Sequence, residues 1–129
     1  ILPLSPVKIT RRPSYGEYAF NECEKLTDVV IPDSVMQLGD GAFYGCESLN
    51  KVEIPMGVTT IGSSAFRYCE KLTDIVIPDG VTEIEKNVFA DCWSLESVAL
   101  NDNLTKIESG AFWNCKNLTN ITIFSKEPP

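Results

Sequence analysis

Ala65-Phe66-Arg67-Tyr68-Cys69, followed by Leu72, is one copy of a signature that runs through the chain as Ala-Phe-x-x-Cys-x-x-Leu. It begins again at Ala19, Ala42 and Ala111, and at Val88 with Val in place of Ala. The phenylalanines are Phe20, Phe43, Phe66, Phe89 and Phe112, and the cysteines Cys23, Cys46, Cys69, Cys92 and Cys115. The leucines are Leu26, Leu49, Leu72, Leu95 and Leu118. Every step in each series is 23 residues, with no insertion or deletion. A fixed period of this length marks a stacked repeat, in which each unit buries its apolar side against its neighbours.

Working outward from the signature, each coil opens at its leucine. Val29 and Ile31, Val52 and Ile54, Ile75 and Ile77, Val98 and Leu100, and Ile121 and Ile123 alternate with polar or small residues, which is the period of a strand. Their β-branched character suits one. Pro32, Pro55 and Pro78 end the first three strands, because proline lacks a ladder donor. Asp33-Ser34, Met56-Gly57, Asp79-Gly80 and Asp102-Asn103 then turn the chain. Val35 with Leu38, Val58 with Ile61, Val81 with Ile84 and Leu104 with Ile107 make a second extended segment across the coil. Ala42, Phe43, Cys46 and Leu49, spaced one, three and three residues apart, share one face of a short helical turn. Asp40, Ser63 and Ser109 stand where its N-cap is wanted. The expectation is an α/β repeat solenoid. It has a parallel sheet of about five strands on one side, roughly 20–25 Å long at ~4.8 Å per strand, and short helical turns on the other.

One domain is expected over residues 1–129, taken from a longer chain, since there is neither an initiating Met nor a recognisable signal peptide. Residues 1–14 fall outside the repeat and are either an N-terminal cap or the edge of an upstream repeat, with Val7-Lys8-Ile9 as a short extended piece. Residues 15–125 hold about five repeats, and 126–129 read as a linker.

Net charge is -7. Lys8, Arg11 and Arg12 lie in the first fourteen residues without an acid, so the remainder is more acidic still. Nucleic acid is excluded as a partner, because it needs a basic surface. The absence of His removes His-based triads and His metal sites. No apolar run approaches the roughly 20 residues of a membrane span. The five cysteines form no Cys-x-x-Cys pair and occupy one position per coil, which suits buried, reduced thiols; disulfides between neighbouring coils are the alternative. No cofactor and no metal are expected.

The pattern L-T-x-V-x-I-P-x-x-V-x-x-I-G-x-x-A-F-x-x-C-x-x resembles the 23-residue leucine-rich repeat of the BspA type. Leu72 to Ser94 is an example, departing at Glu85 and Val88; Asn101 departs at the proline position. The resemblance covers residues 15 to about 125. It implies a right-handed solenoid on surface or secreted proteins of host-associated anaerobic bacteria and some protozoa. Some members of the family are adhesins that bind extracellular-matrix or plasma proteins such as fibronectin and fibrinogen.

A partner protein is expected on the outward strand positions, the concave face in such repeats. One column is Asp28, Lys51, Asp74, Ser97 and Asn120, and its neighbour is Val30, Glu53, Val76, Ala99 and Thr122. A third, Thr27, Asn50, Thr73, Glu96 and Thr119, borders them. These small, mixed residues suit either a binding surface or an ordinary solvated sheet. Tyr44, Tyr68, Trp93 and Trp113 offer interface anchors on the other side, or pack over the coil ends. Glu24, Glu47 and Glu70 form an acidic column that by default is solvated. The sequons at Asn103, Asn117 and Asn120 matter only in a glycosylating host. The expected function is a monomeric protein-binding or adhesion module at the cell surface or outside the cell, and not an enzyme. A structural spacer presenting another domain is the alternative. A carboxylate-pair hydrolase is remote, because no nucleophile elbow, phosphate loop or metal motif is present.

Overall fold

The structure is a computed structural model that describes the backbone of residues 7–8 and 14–125 and the side chains of residues 16–125. The strands in chain order are β1 (Val7–Lys8), β2 (Ser14–Tyr15), β3 (Asp28–Val30), β4 (Gln37–Leu38), β5 (Lys51–Glu53), β6 (Thr60–Ile61), β7 (Asp74–Val76), β8 (Glu83–Ile84), β9 (Ser97–Asn101), β10 (Lys106–Ile107) and β11 (Asn120–Phe124). Odd-numbered strands stack on one side of the coil and even-numbered strands on the other, and every pairing is parallel. The register is the sequence period: Asp28 lies opposite Lys51, Val29 opposite Val52 and Val30 opposite Glu53. One strand more than the expected five lies on the first side. Val7 and Lys8 supply it, pairing with Val29 and Val30. Ser14, the last residue of the expected cap, opens β2 and pairs with Gln37; residues 1–6 and 9–13 of that cap, and the linker expected at 126–129, lie outside the described residues.

Alternation sets the core. Val29, Val52, Ile75 and Val98 point inward while their strand neighbours point out. The fourth coil buries Leu72, Ile75, Ile77, Val81, Ile84, Val88, Phe89 and Cys92, one inward side chain for each apolar position of the repeat. After each strand a β-turn closes through the N–H of Val35, Val58 or Val81 onto the carbonyl of Pro32, Pro55 or Pro78. Asn101 takes the proline position in the fifth coil. It can donate to the ladder, so β9 runs to five residues and pairs with β11 as far as Phe124. Its buried amide donates to Pro78 O (2.7 Å) and Val81 O (3.0 Å) and accepts from Asn103 N–H (2.8 Å), so all its polar atoms are satisfied.

The expected helical turns are not formed; among the described residues there is no helix. The signature segments fold as consecutive β-turns. In the second coil Ala42, Tyr44 and Cys46 donate to Gly39, Gly41 and Phe43, each three residues back. The residues between them turn away: Gly41, Phe43 and Gly45 donate to Ser63, Ala65 and Arg67 of the next coil. The cause is two left-handed residues per coil, four apart. One column is Tyr18, Gly41, Ser64, Asn87 and Gly110, and the other Glu22, Gly45, Tyr68, Asp91 and Asn114. A helix cannot pass through such φ values. The N-cap role expected of Asp40 is lost with the helix, and its Oδ1 accepts from Ser63 N–H of the next coil instead (2.9 Å).

The resulting turn ladder repeats at every junction, with N–H groups at 18, 20 and 22 donating to carbonyls at 40, 42 and 44, and so on to 91 donating to 113. Beneath it the phenylalanines stack nearly parallel, with centroid spacings of 5.2 Å (Phe20–Phe43), 5.3 Å (Phe43–Phe66), 5.6 Å (Phe66–Phe89) and 5.5 Å (Phe89–Phe112).

Phe66 is fully buried between two rings, so Phe66→Ala is expected to cost about 3–5 kcal/mol, read as a fall in the urea midpoint at unchanged slope. Gly45 has φ +74° and an added Cβ would press on Glu22 Cγ. Gly45→Ala is therefore expected to cost about 1–2 kcal/mol, measured in the same titration.

Candidate functional site

The outward residues of the strand side fall into the two columns expected from the repeat. Register brings Asp28 beside Lys51, and Asp74, Ser97 and Asn120 beside one another. It also brings Val30 beside Glu53, and Val76, Ala99 and Thr122 into one row. Those from Asp28 to Ala99 flank an inward Val or Ile on their strands, whereas Asn120 and Thr122 flank Ile121, itself 55% exposed. Val30 is 47% exposed and Val76 55%, and both flank the Glu53 position. Apolar side chains held in water on a flat polar sheet gain nothing from folding. A shallow hollow of about 310 Å³ runs over Asp28, Val30, Lys51 and Glu53. A second, of about 300 Å³, continues over Lys51, Glu53, Asp74 and Val76. Alternating charge around an apolar pair is a surface that can meet a protein, with opposite charges setting register.

The opposite side carries a second set of rings. Tyr18 and Tyr44 meet edge to face at 6.0 Å, and Tyr44 and Tyr68 at 5.5 Å. Arg67 lies over the Tyr68 ring at 5.0 Å and bonds Asp91 at 3.2 Å. Burial is the largest single effect and works against the guanidinium charge, but the bond to Asp91 together with the charge interactions with Tyr68, Asp91 and Tyr44 outweighs it, so its pKa is raised. Asp91, buried at 6% exposure, also accepts from Asn114 Nδ2 at 2.9 Å, so one carboxylate ties three coils together. Lys116 covers Trp93 at 5.6 Å. Tyr44, Tyr68 and Trp93 thus have partners within the fold, while Trp113 stands 65% exposed. Tyr18, which the sequence reading left out, heads this row.

The acidic column is spread along the solenoid. Partial burial, and then Glu47, raise the Glu70 carboxyl pKa. Among the described residues no three of Cys, Asp and Glu converge as a metal site requires, and no helix is long and apolar enough to cross a membrane. The sequon amides of Asn103 and Asn117 donate to Asp79 O (3.2 Å) and Trp93 O (2.6 Å) of the preceding coil.

The five cysteines are free thiols stacked one per coil. Each S–H from Cys46 onward donates to a phenylalanine carbonyl one coil back: Cys46 to Phe20 (3.1 Å), Cys69 to Phe43 (3.3 Å), Cys92 to Phe66 (3.1 Å) and Cys115 to Phe89 (3.1 Å). Burial pushes the Cys46 thiol up to about 12 and Cys115 up to about 11, and raises Cys69 and Cys92 strongly. A protonated, covered thiol is a poor nucleophile.

The chain matches the family model for the BspA-type leucine-rich repeat region, with 6 copies over residues 14–127. It is similar to a leucine-rich cell surface protein of Faecalibacterium prausnitzii, at 38% identity over 92% of this chain with a TM-score of 0.88. A leucine-rich repeat protein of T. pallidum is 28% identical over 94% of this chain, with a TM-score of 0.83. One from Bacteroides ovatus is 31% identical over 91%, with a TM-score of 0.66. The chain spans 31%, 70% and 37% of those three proteins. No curated protein matches it.

The thiol column gives two expected outcomes. At pH 8 iodoacetamide should leave Cys69 and Cys92 unmodified in the folded protein and label all five cysteines in urea, counted by intact mass. Above pH 9 the unfolded chain releases thiol protons that the folded chain keeps up to about pH 12 at Cys46, so folding stability falls as pH rises. The fall is about 1.4 kcal/mol per pH unit for each such thiol, and Cys69→Ala should show a shallower decline.

Proposed function

This chain belongs to the BspA-type leucine-rich repeat family, and we propose that it is a protein-binding module whose strand face takes the partner. The observation that carries this reading is the pair of exposed valines, Val30 and Val76, held either side of the Glu53 position in an outward row bordered by Asp28, Lys51 and Asp74. Ser97, Ala99, Asn120 and Thr122 extend the surface toward the C-terminal end. Their small side chains give a partner close access to the sheet. The module acts without catalysis and as a monomer. Similarity to a bacterial cell surface protein supports a place at the cell surface or outside the cell, and an adhesive role toward extracellular-matrix or plasma proteins. The whole parent protein's activity is part of the same proposal.

Binding of the isolated chain to immobilised fibronectin and fibrinogen tests it. Saturable binding is expected, and the combined change Lys51→Glu, Glu53→Lys and Val76→Asp is expected to weaken it at least about tenfold without moving the urea midpoint. Binding that survives the triple change intact would place the contact elsewhere, and saturable binding to neither protein would favour a spacer.

A further inference from the structure

We propose that the junction between the third coil (49–71) and the fourth (72–94) is a hinge built into the solenoid, opening on the strand side about an intact turn side. It stands independently of the partner-binding reading.

The other junctions show what a closed one holds. Asn50, Glu96 and Thr119 N–H donate to Thr27, Thr73 and Glu96 carbonyls one coil back, at 3.0, 2.8 and 3.0 Å. Thr59 and Thr105 donate to Met36 and Thr82 at 2.9 and 2.8 Å, and Gly62 and Glu108 to Leu38 and Ile84 at 2.8 Å each. The hydroxyls of Thr59 and Thr105 reach the same Met36 and Thr82 carbonyls. At the junction of the third and fourth coils these bonds are missing together. Among the described residues Thr73 makes no bond to Asn50, Thr82 none to Thr59 by amide or hydroxyl, and Glu85 none to Ile61. The sheets divide at the same place: one ends at β5 and the next begins at β7, while β6 and β8 belong to different sheets.

The turn side of this junction is closed. Ser64, Phe66 and Tyr68 N–H donate to Lys86, Val88 and Ala90 at 2.9, 2.9 and 3.0 Å. Phe66 stacks on Phe89, Cys92 donates to Phe66 O, and Arg67 bonds Asp91. One edge of the coil is therefore pinned by backbone bonds, rings and an ion pair, and the other lacks, among the described residues, the ladder bonds that close its neighbours. Two layers fastened along one edge rotate about that edge. Backbone groups without a ladder partner must meet water. Rotation changes the spacing of Lys51 from Asp74 and of Glu53 from Val76, and leaves the spacing within each half unchanged. The fifth coil shows how the seam can be fastened: Asn101 spans its junction by donating to Pro78 O and Val81 O, and Pro78 is the equivalent position at the seam, facing Pro55 and Val58.

Residue-resolved amide exchange and residual dipolar couplings of the full chain test the hinge. Thr73, Thr82 and Glu85 amides are expected to be at least about tenfold less protected than Asn50, Thr59, Gly62, Glu96, Thr105 and Glu108. Couplings from residues 16–71 and 72–125 are expected to need alignment tensors of different magnitude. Pro78→Asn is expected to raise protection of the three seam amides selectively and to bring the halves to one tensor. Equal protection of seam and control amides in the unaltered chain, or a single tensor for both halves, would overturn the proposal.

Discussion

Two left-handed residues in every coil govern the architecture. At Gly41 and Gly45, and at their equivalents 23 residues on, the backbone cannot continue a helix. Half of the amides in the segment close tight turns, and the other half point along the solenoid axis and find carbonyls in the next coil. A local backbone constraint becomes a long-range ladder. Buried backbone groups must be paired, so each coil is incomplete without its neighbour on that side. The same geometry sets Phe under Phe and leaves a phenylalanine carbonyl facing the next coil's cysteine. A thiol is small enough for the core and still able to donate to that carbonyl.

This division of labour separates the residues that hold the coils together from those free to vary. The turn side is committed to holding coils together, through the amide ladder, the ring stack, the thiol-to-carbonyl bonds and the Arg67–Asp91–Asn114 bridge. Changes there are stability changes. The strand side holds its coils by short ladders and leaves alternate side chains in water, so Asp28, Lys51, Glu53, Asp74 and Val76 vary from coil to coil without cost to the core. The thiols of Cys46, Cys69 and Cys92 are buried and held protonated, and the carboxylates of the acidic column stand one coil apart.

Much of this was legible in the chain. The 23-residue spacing of Phe, Cys and Leu supplied the coil, alternation in Val29-to-Ile31 and its copies supplied the strand and its outward columns, and Val35 with Leu38 supplied the second strand. Asn101 was legible only as a departure; that it lengthens β9 and fastens two coils depends on which carbonyls lie one coil away. The helical reading of Ala42, Phe43, Cys46 and Leu49 failed because one-three-three spacing is shared by a helix and by consecutive turns of the same length. Gly41, Gly45, Asn87, Asp91, Gly110 and Asn114 carried the correction, since Gly, Asn and Asp tolerate left-handed φ. Tyr18, Glu22, Ser64 and Tyr68 hid it, being residues that take that conformation only under the pull of the neighbouring coils.

The sequence by itself determined the repeat, its length, the inward set of side chains and the register of neighbouring coils, because identical units stacked at one period have a single way to align their apolar positions. The tertiary structure decided how the signature segment is wound, which carbonyls the thiols and Asn101 reach, and where the strand ladders are interrupted. Those features depend on hydrogen bonds between residues 20 to 26 apart, whose geometry exists only once the coils are stacked.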